Sequence, residues 1–309
     1  MDSSTAKTTL DRVVQQAGTV ILGKERQLRL ALTCVLARGH LLIEDVPGVG
    51  KTTLAHVLAK TLGLQFQRIQ FTSDMLPADI LGASVFNRQN SNFEFVRGPI
   101  FAQLILADEI NRTTPKTQSA LLEAMEENQV TIEGQTYRLP TPFFVIATQN
   151  PSNQIGTFPL PESQLDRFLM RMVMGYPDNT AERSLLKGED RRDVLAQLTP
   201  CVSIETLQEI QAIVAKVHSS DALLDYVQAI IRYTREAPQF QTGLSPRAGL
   251  AILRSAQAWA LLHGRDFLQP EDVQAVLPHV VAHRLVPAAD FRDEPRDKLI
   301  QQVLEVPIP

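Results

Sequence analysis

The chain of 309 residues contains little cysteine, and its two cysteines, Cys34 and Cys201, are far apart and have no neighbours at zinc-ligand spacing. A disulfide framework is therefore not expected, which fits a reducing compartment. The sequence also lacks a run of about 18 or more apolar residues, the length that a membrane-spanning helix needs. No apolar block follows the N-terminal stretch Met1-Asp2-Ser3-Ser4, so no secretory signal is expected. These absences predict a cytoplasmic protein without a membrane span.

An excess of positive charge is missing as well. The 30 lysines and arginines are outnumbered by 34 aspartates and glutamates, and the net charge is −4. This balance argues against a chain that coats nucleic acid, although it does not exclude a local basic groove. The hydrophobic content of 44% supports a full core, and the length suits two domains.

The most informative stretch that is present runs from Glu44 to Thr53 and reads EDVPGVGKTT. An apolar run precedes it and a segment with helical spacing follows, which predicts a strand, a glycine-containing loop and a helix N-terminus. Such a loop aims backbone N–H groups and a helix dipole at a polyphosphate. Lys51 can reach the β- and γ-phosphates, and the Thr52 hydroxyl can bind Mg²⁺. The strict pattern has glycine where this chain has Asp45, which affects the entry of the loop.

The first half of the sequence alternates strand-like runs with helical segments. Strands are predicted at 40–44, 66–71, 104–108, 143–148 and 168–174, and helices at 25–38, 52–61, 116–127 and 161–167. This alternation predicts a mostly parallel sheet with helices on both faces and a ligand at the carboxyl ends of the strands. Two further stretches, 79–101 with a polar tip at 88–92 and 129–139 with a turn at Glu133-Gly134, are predicted to form inserted hairpins.

After Tyr176-Pro177-Asp178 the pattern becomes helical throughout. Apolar residues recur at intervals of three and four in four segments, 204–218, 221–235, 245–263 and 270–277. Ser203, Ser220 and Ser245 are suited to cap three of these helices. We therefore expect two domains, an α/β core at 1–178 and an all-helical domain at 179–309.

Two strand ends in the core carry polar side chains suited to nucleotide chemistry. Leu104 to Glu109 is an apolar strand that ends in two carboxylates, which point to opposite sides because side chains alternate along a strand. Asp108 can hold Mg²⁺ together with Thr52, and Glu109 can polarise a water for attack on the γ-phosphate. Asn150 follows the next apolar strand and can orient that water, although an asparagine before Pro151 is also typical of a turn.

The order of these motifs, together with Leu165-Asp166-Arg167-Phe168 and Leu244-Ser245-Pro246-Arg247-Ala248, resembles the AAA+ ATPases and more narrowly the MoxR family. The stretch from Glu44 to Thr52 and the segment Asp108-Glu109-Ile110-Asn111-Arg112 closely resemble the sequence motifs of that family. The resemblance covers nearly the whole chain. It implies an AAA+ three-layer core with a mostly parallel five-stranded sheet and two inserted β-hairpins, followed by an all-helical lid domain.

The resemblance also implies roles for individual residues. Lys51 and Thr52 match Walker A, Asp108 and Glu109 match Walker B, and Asn150 matches sensor 1. ATP would be bound by the residues of the phosphate loop and of the segment before the first predicted helix: Ile21, Gly23, Pro47, Gly48, Val49, Gly50, Lys51, Thr52 and Thr53.

Three arginines are candidates for stabilising the negative charge of the γ-phosphate. Arg167 resembles the arginine finger that reaches a neighbour's γ-phosphate, and Arg171, four residues on, is its rival. Arg247 is similar to sensor 2, acting either within its own subunit or across the boundary. A permanent planar cation suits the charge that spreads over phosphate oxygens. Gln70 or Thr72 is a further candidate, for a restraint on Glu109.

The resemblance implies ATP and Mg²⁺ as cofactors, a homo-oligomeric ring of six subunits, and a separate partner protein with a von Willebrand factor A domain. The chain would act as a chaperone-like remodeller of that partner. Two alternatives stay open: a nucleic-acid motor and a nucleotide-state switch with slow turnover. The hairpin tips have few basic residues, which disfavours the motor. His279 and His283 are spaced to share a helix face, but without a third ligand a metal site there is not favoured.

Overall fold

The computed structural model describes residues 1–89, 91–150, 156–188 and 191–308. Its helices are α1 (Ser3–Gly18), α2 (Glu25–Leu36), α3 (Lys51–Thr61), α4 (Pro77–Leu81), α5 (Pro115–Glu127), α6 (Glu162–Leu165), α7 (Asn179–Leu186), α8 (Arg191–Gln197), α9 (Ile204–Val214), α10 (Asp221–Glu236), α11 (Pro246–Leu262), α12 (Pro270–Val281) and α13 (Arg296–Leu304). Its strands are β1 (Leu41–Glu44), β2 (Phe66–Gln70), β3 (Gly82–Asn87), β4 (Asn92–Arg97), β5 (Leu104–Asp108), β6 (Gln129–Ile132), β7 (Gln135–Arg138), β8 (Phe144–Gln149), β9 (Met170–Met172), β10 (Phe240–Thr242) and β11 (Val286–Pro287).

The core is a five-stranded sheet with the order β2-β5-β8-β1-β9, and all of its pairings are parallel. Side chains alternate between its two faces, as strand geometry requires. Leu41 and Ile43 pack into one hydrophobic cluster with α1, α2 and the second domain, and Leu42 packs into the other cluster on the opposite face. The predicted sheet is confirmed. The carboxyl ends of β1, β5 and β8 meet at one edge, where a ligand would bind.

Both predicted hairpins are present. β3 pairs with β4, and β6 pairs with β7, in each case antiparallel and separate from the main sheet. Phe95 of the first hairpin stacks on Tyr137 of the second with ring centroids 4.2 Å apart, so the two hairpins contact each other. Position 90, in the predicted polar tip, lies outside the described residues.

The second half is helical, as predicted, with caps where the serines indicated them. The side chains of Ser203, Ser220 and Ser245 accept hydrogen bonds from backbone N–H groups three residues further on. The expectation of helices alone needs one correction, because β10 and β11 form a short antiparallel pair. These strands of three and two residues are too short to produce an alternating pattern. The boundary between 178 and 179 stays a prediction, with α7 beginning at Asn179.

The helix α1 was not anticipated from the sequence. Asp2 caps it by accepting a hydrogen bond from the Thr5 N–H, and its inner face buries Leu10, Val13 and Val14 against α2 and α11. Cys34 and Cys201 are free thiols, as expected. Among the described residues, no helix is long and apolar enough to span a membrane.

Candidate nucleotide site

The loop between β1 and α3 has the geometry of a phosphate cradle. Gly48 and Gly50 have φ angles of 87° and 92°, in the left-handed region that glycine adopts without strain. Gly50 is the N-cap of α3, so Lys51 and Thr52 form the first turn of that helix. The unpaired N–H groups of a helix start, together with the positive end of its dipole, attract an anion. The predicted strand–loop–helix arrangement is therefore present.

Asp45, which departs from the strict pattern, ties the start of this loop to the end of the core domain. It is 8% exposed. One carboxylate oxygen accepts a hydrogen bond from the Val46 N–H at 2.7 Å, and the other accepts one from the Gly175 N–H at 2.7 Å. A glycine at this position would offer neither bond. The aspartate thus takes a structural role that the strict pattern lacks.

The ammonium of Lys51 lies beneath the loop, where it is only 8% exposed. It donates to the carbonyl oxygens of Asp45 and Val46, at 2.5 Å and 3.2 Å, and lies 3.3 Å from the Asn150 Oδ1. Burial lowers the pKa of Lys51, while the charges of Asp45, Asp108 and Glu109 act in the opposite direction. The lysine and the two carboxylates predicted to work with it therefore lie close together.

Glu109 and Asn150 form a second part of the same cluster. The Asn150 Nδ2 donates to Glu109 Oε1 at 2.9 Å, while its Oδ1 accepts from Lys51. The turn-forming alternative for Asn150 thus does not account for its side chain, which connects the lysine to the glutamate. Gln70 donates to the other Glu109 oxygen at 3.1 Å, and Arg112 pairs with that oxygen at 2.9 Å.

The two candidates for restraining Glu109 are therefore separated by the geometry. Gln70, at the end of β2, contacts the carboxylate directly. The Thr72 hydroxyl instead donates to Asp74 at 2.6 Å. Glu109 itself has a φ of 58°, which turns it out of the strand direction of β5. The two carboxylates therefore have different surroundings because of this backbone turn after Asp108, and not because they alternate along one strand, as was expected from the sequence.

Asp108 is buried, with 7% exposed, at the carboxyl end of β5. Its Oδ1 accepts a hydrogen bond from the Thr148 hydroxyl at 2.6 Å, and its Oδ2 pairs with Arg68. Helix α3, which carries Thr52, packs against β5. A hydroxyl and a carboxylate are hard oxygen donors of the kind that Mg²⁺ binds through one or two protein ligands together with substrate phosphates. The donor set therefore fits a magnesium ion.

The segment before α2 contacts the link between the two domains. Ile21 is buried in the hydrophobic core, and Gly23 has a φ of 67° and lies against Asp178 and Ala181. Lys24 donates to the Tyr176 carbonyl. The predicted contact of this segment with adenine would thus lie beside the start of α7.

The three candidate arginines lie in two different places. Arg167 precedes β9 at the level of His40, where the Leu169 N–H donates to the His40 carbonyl at 2.9 Å. This is the amino end of β1, whereas the phosphate loop follows its carboxyl end. A strand of four residues is about 13 Å long, so Arg167 lies far from its own phosphate loop. Arg171 lies inside β9 and pairs with Glu44, directly before the loop.

Arg247 lies beside Arg167. Both pair with the Glu126 carboxylate at 3.2 Å, and Arg247 also lies 3.8 Å from Asp166. They border a cavity of about 730 Å³ between the sheet's amino end and the second domain, which is also lined by Arg38, Arg254 and Arg284. The cavity therefore lies at the amino ends of the strands, whereas the phosphate loop lies at their carboxyl ends.

Sequence reasoning missed Arg68 and Arg284. Arg284 is buried and donates to Asp166 Oδ1 at 2.7 Å and to the Phe168 carbonyl at 2.7 Å, so it supports the segment that carries Arg167. Neither arginine belongs to a local motif, and their partners are 40 and 118 residues away. For Arg68, the position on a strand beside the Asp108 strand was the one available signal.

The rings of His279 and His283 contact the backbone. His279 and His283 each hydrogen-bond a backbone carbonyl, those of Arg171 and Phe168, and burial lowers the pKa of both rings. Within the described ranges, no three histidine, cysteine, aspartate or glutamate side chains lie together in a metal-binding group.

The comparisons with known proteins agree with this geometry. Residues 40–170 match the family model of the ATPase family associated with various cellular activities (AAA), and residues 232–303 match that of the AAA lid domain. A crystal structure from Cytophaga hutchinsonii superposes with a TM-score of 0.91 at 37% sequence identity, covering 99% of this chain and 96% of that one. The sheet order, the phosphate loop and the helical lid define the class of AAA+ ATPases.

Two relatives make the assignment narrower. The uncharacterized protein YeaC of Bacillus subtilis is 44% identical, with 96% of this chain and 93% of that protein covered. Chaperone MoxR1 of Mycobacterium tuberculosis is 41% identical, with 90% of this chain and 76% of that protein covered. This chain belongs to the MoxR family of AAA+ ATPases.

Proposed function

We propose that this chain binds and hydrolyses Mg-ATP at the carboxyl edge of its sheet. The observation that carries the proposal is the hydrogen-bonded chain Lys51–Asn150–Glu109, which lies directly under the loop of Gly48 and Gly50. It brings together a cation for the terminal phosphates, a polar amide and a carboxylate. Phosphoryl transfer needs these groups for positioning and for charge stabilisation.

Each residue has a distinct role in this proposal. The loop N–H groups and Lys51 hold the phosphates, and Thr52 and Asp108 hold the magnesium ion. When bound, the metal neutralises charge that develops on the phosphate oxygens. Glu109 accepts a proton from the attacking water, and Asn150 orients that water. Gln70 restrains Glu109 until the site is assembled.

The reaction site is completed, in this proposal, by a neighbouring subunit of a ring, with six subunits as the expected number. Arg167 and Arg247 support it, because both lie at the sheet's amino end beside one cavity and far from their own phosphate loop. A second copy would present them to its neighbour's γ-phosphate. Arg171, tied to Glu44 beside its own loop, does not suit this role.

Turnover in such a ring would remodel a separate protein, and we propose a partner with a von Willebrand factor A domain. The relative named chaperone MoxR1 supports a chaperone-like role. The exposed aromatic pair Phe86 and Phe93 at the end of the first hairpin is a surface suited to gripping a polypeptide. A nucleic-acid motor is not favoured, because Glu94 and Arg97 give that hairpin charges of both signs.

The experiment compares the parent with Lys51→Ala and Glu109→Gln. Lys51→Ala should lose nucleotide binding, because it removes the ammonium that binds the terminal phosphates. Glu109→Gln should keep Mg-ATP bound but lose at least a hundredfold in turnover, the usual weight of a general base. In a pull-down with ATP, Glu109→Gln should retain the partner and Lys51→Ala should not. Parent-like hydrolysis by both variants would refute the site.

A further inference from the structure

Arg68 has a contact that no role described so far explains. Its Nε and Nη2 both donate to Asp108 Oδ2, at 3.1 Å and 2.6 Å. The other Asp108 oxygen accepts from Thr148. Both oxygens of the buried carboxylate are therefore engaged, and the cation in direct contact with it is a guanidinium.

The position of Arg68 allows this contact to break. It lies on β2, the edge strand of the sheet, and its side chain is 46% exposed, whereas Asp108 is buried. Gln70 lies directly opposite Asp108 in the pairing of β2 with β5. Arg68 and Gln70 are two residues apart on β2, so their side chains lie on the same face of the sheet as that of Asp108. A long, half-exposed arginine can leave for solvent without disturbing the core.

We propose that Arg68 is a stand-in for the metal ion: it neutralises Asp108 while no metal is bound and gives up the carboxylate when Mg-ATP binds. The inference rests on the proposed function. A buried carboxylate needs a counter-charge in both states, and a guanidinium and a divalent cation compete for the same oxygen. Arg68 thus lowers the affinity for the metal and keeps Asp108 in place.

Arg68 also connects the metal ligand Asp108 to Glu109, the proposed general base. Arg68 Nη2 also donates to Gln70 Oε1 at 2.7 Å, and Gln70 in turn donates to Glu109. When Arg68 leaves Asp108, Gln70 loses a partner on one side. The four side chains Asp108, Arg68, Gln70 and Glu109 therefore form a continuous connection between the metal ligand and the water-activating carboxylate.

The test measures nucleotide binding, without turnover, in the full-length chain. The dissociation constant of a fluorescent ATP analogue is determined in excess EDTA and in saturating Mg²⁺. The EDTA value divided by the Mg²⁺ value gives the metal's contribution to nucleotide affinity. A loss of affinity that is the same for free ATP and for Mg-ATP cancels in this ratio, and Arg68→Lys, which keeps the positive charge, separates the loss of the contact from the loss of charge. In Arg68→Gln the ratio should rise about fivefold, the effect of removing one half-exposed ion pair that competes with the metal.

Arg138→Gln, an exposed arginine on β7, is the matched control and should leave the ratio unchanged. Arg68→Lys should raise the ratio less than Arg68→Gln, because one ammonium replaces a two-pronged contact. If Arg68→Gln does not fold, the lysine variant decides alone. An unchanged or lower ratio would overturn the stand-in role and would indicate that Arg68 positions Asp108 for the metal. A parent that binds no nucleotide in either buffer would instead overturn the proposed function, and this inference with it.

Discussion

Asp45 provides a sharp test of how this phosphate loop is held, since its carboxylate bonds two backbone N–H groups at 2.7 Å. A hydrogen bond to a charged group contributes about 1.5–3 kcal/mol, and the lower value applies because Gly175 is only partly buried. Asp45→Asn keeps one acceptor oxygen and turns its amide donors toward the second N–H. It should lower the free energy of unfolding by about 1.5 kcal/mol.

Removal of the whole Asp45 side chain should lower the free energy of unfolding more than Asp45→Asn does. Asp45→Ala loses both bonds, about 3 kcal/mol, and Asp45→Gly adds the backbone entropy of glycine, about 0.5–1 kcal/mol. The order of stability should be parent, asparagine, alanine, glycine, as measured by urea unfolding without nucleotide. Asp225→Asn, on an exposed turn of α10, is the control and should stay within about 0.5 kcal/mol. An Asp45→Gly variant as stable as the parent would refute the reasoning, although glycine restores the strict loop pattern.

Three further predictions concern pH, the metal and nucleic acid. Burial lowers the pKa of His40 and of His279 to about 4 each, so below about pH 6.5 the unfolded chain binds protons that the folded chain does not. Stability should therefore be complete above about pH 6.5 and fall by roughly 3 kcal/mol per histidine toward pH 4, and a His40→Gln variant should have a shallower urea-midpoint profile. Asp108→Asn should raise the Mg²⁺ concentration needed for ATP turnover, whereas Glu109→Gln should reduce turnover at every Mg²⁺ concentration; identical profiles for the two would contradict their separate roles. DNA or RNA binding, followed by fluorescence anisotropy, should be weak and vanish at moderate salt, and tight binding that resists salt would favour the motor.

The parts of the fold that follow from local patterns were predictable. The strand at 104–108, for example, begins with four consecutive apolar residues, as is typical of a strand buried on both faces. The short pair β10 and β11 was not, because strands of three and two residues show no period. Helix α1 was overlooked although its signals are present, with Asp2 at the cap and apolar residues at Leu10, Val13 and Val14.

In the candidate site, too, residues that belong to local motifs were predictable, and contacts between distant parts of the sequence were not. Lys51 and the two carboxylates belong to contiguous motifs, so the sequence alone points to them. The amide of Asn150 contacts Lys51 across 99 residues, and Arg68 contacts Asp108 across 40 residues. Such contacts depend on the order and register of the strands, which no local pattern contains. The different surroundings of Arg167, which precedes β9, and Arg171, which lies inside β9, likewise depend on the position of that strand in the sheet.

The most direct test of the central claim, hydrolysis at a site shared by two subunits, is the ATPase rate of two mixed variants. Arg167→Ala should bind ATP normally and be almost inactive, because its sites lack the neighbour's cation. Lys51→Ala should be inactive because its own site cannot hold nucleotide, yet it keeps a functional Arg167. When the two are titrated together, activity should return at interfaces that pair an intact loop with an intact arginine. No recovery in assemblies that contain both chains would contradict the account.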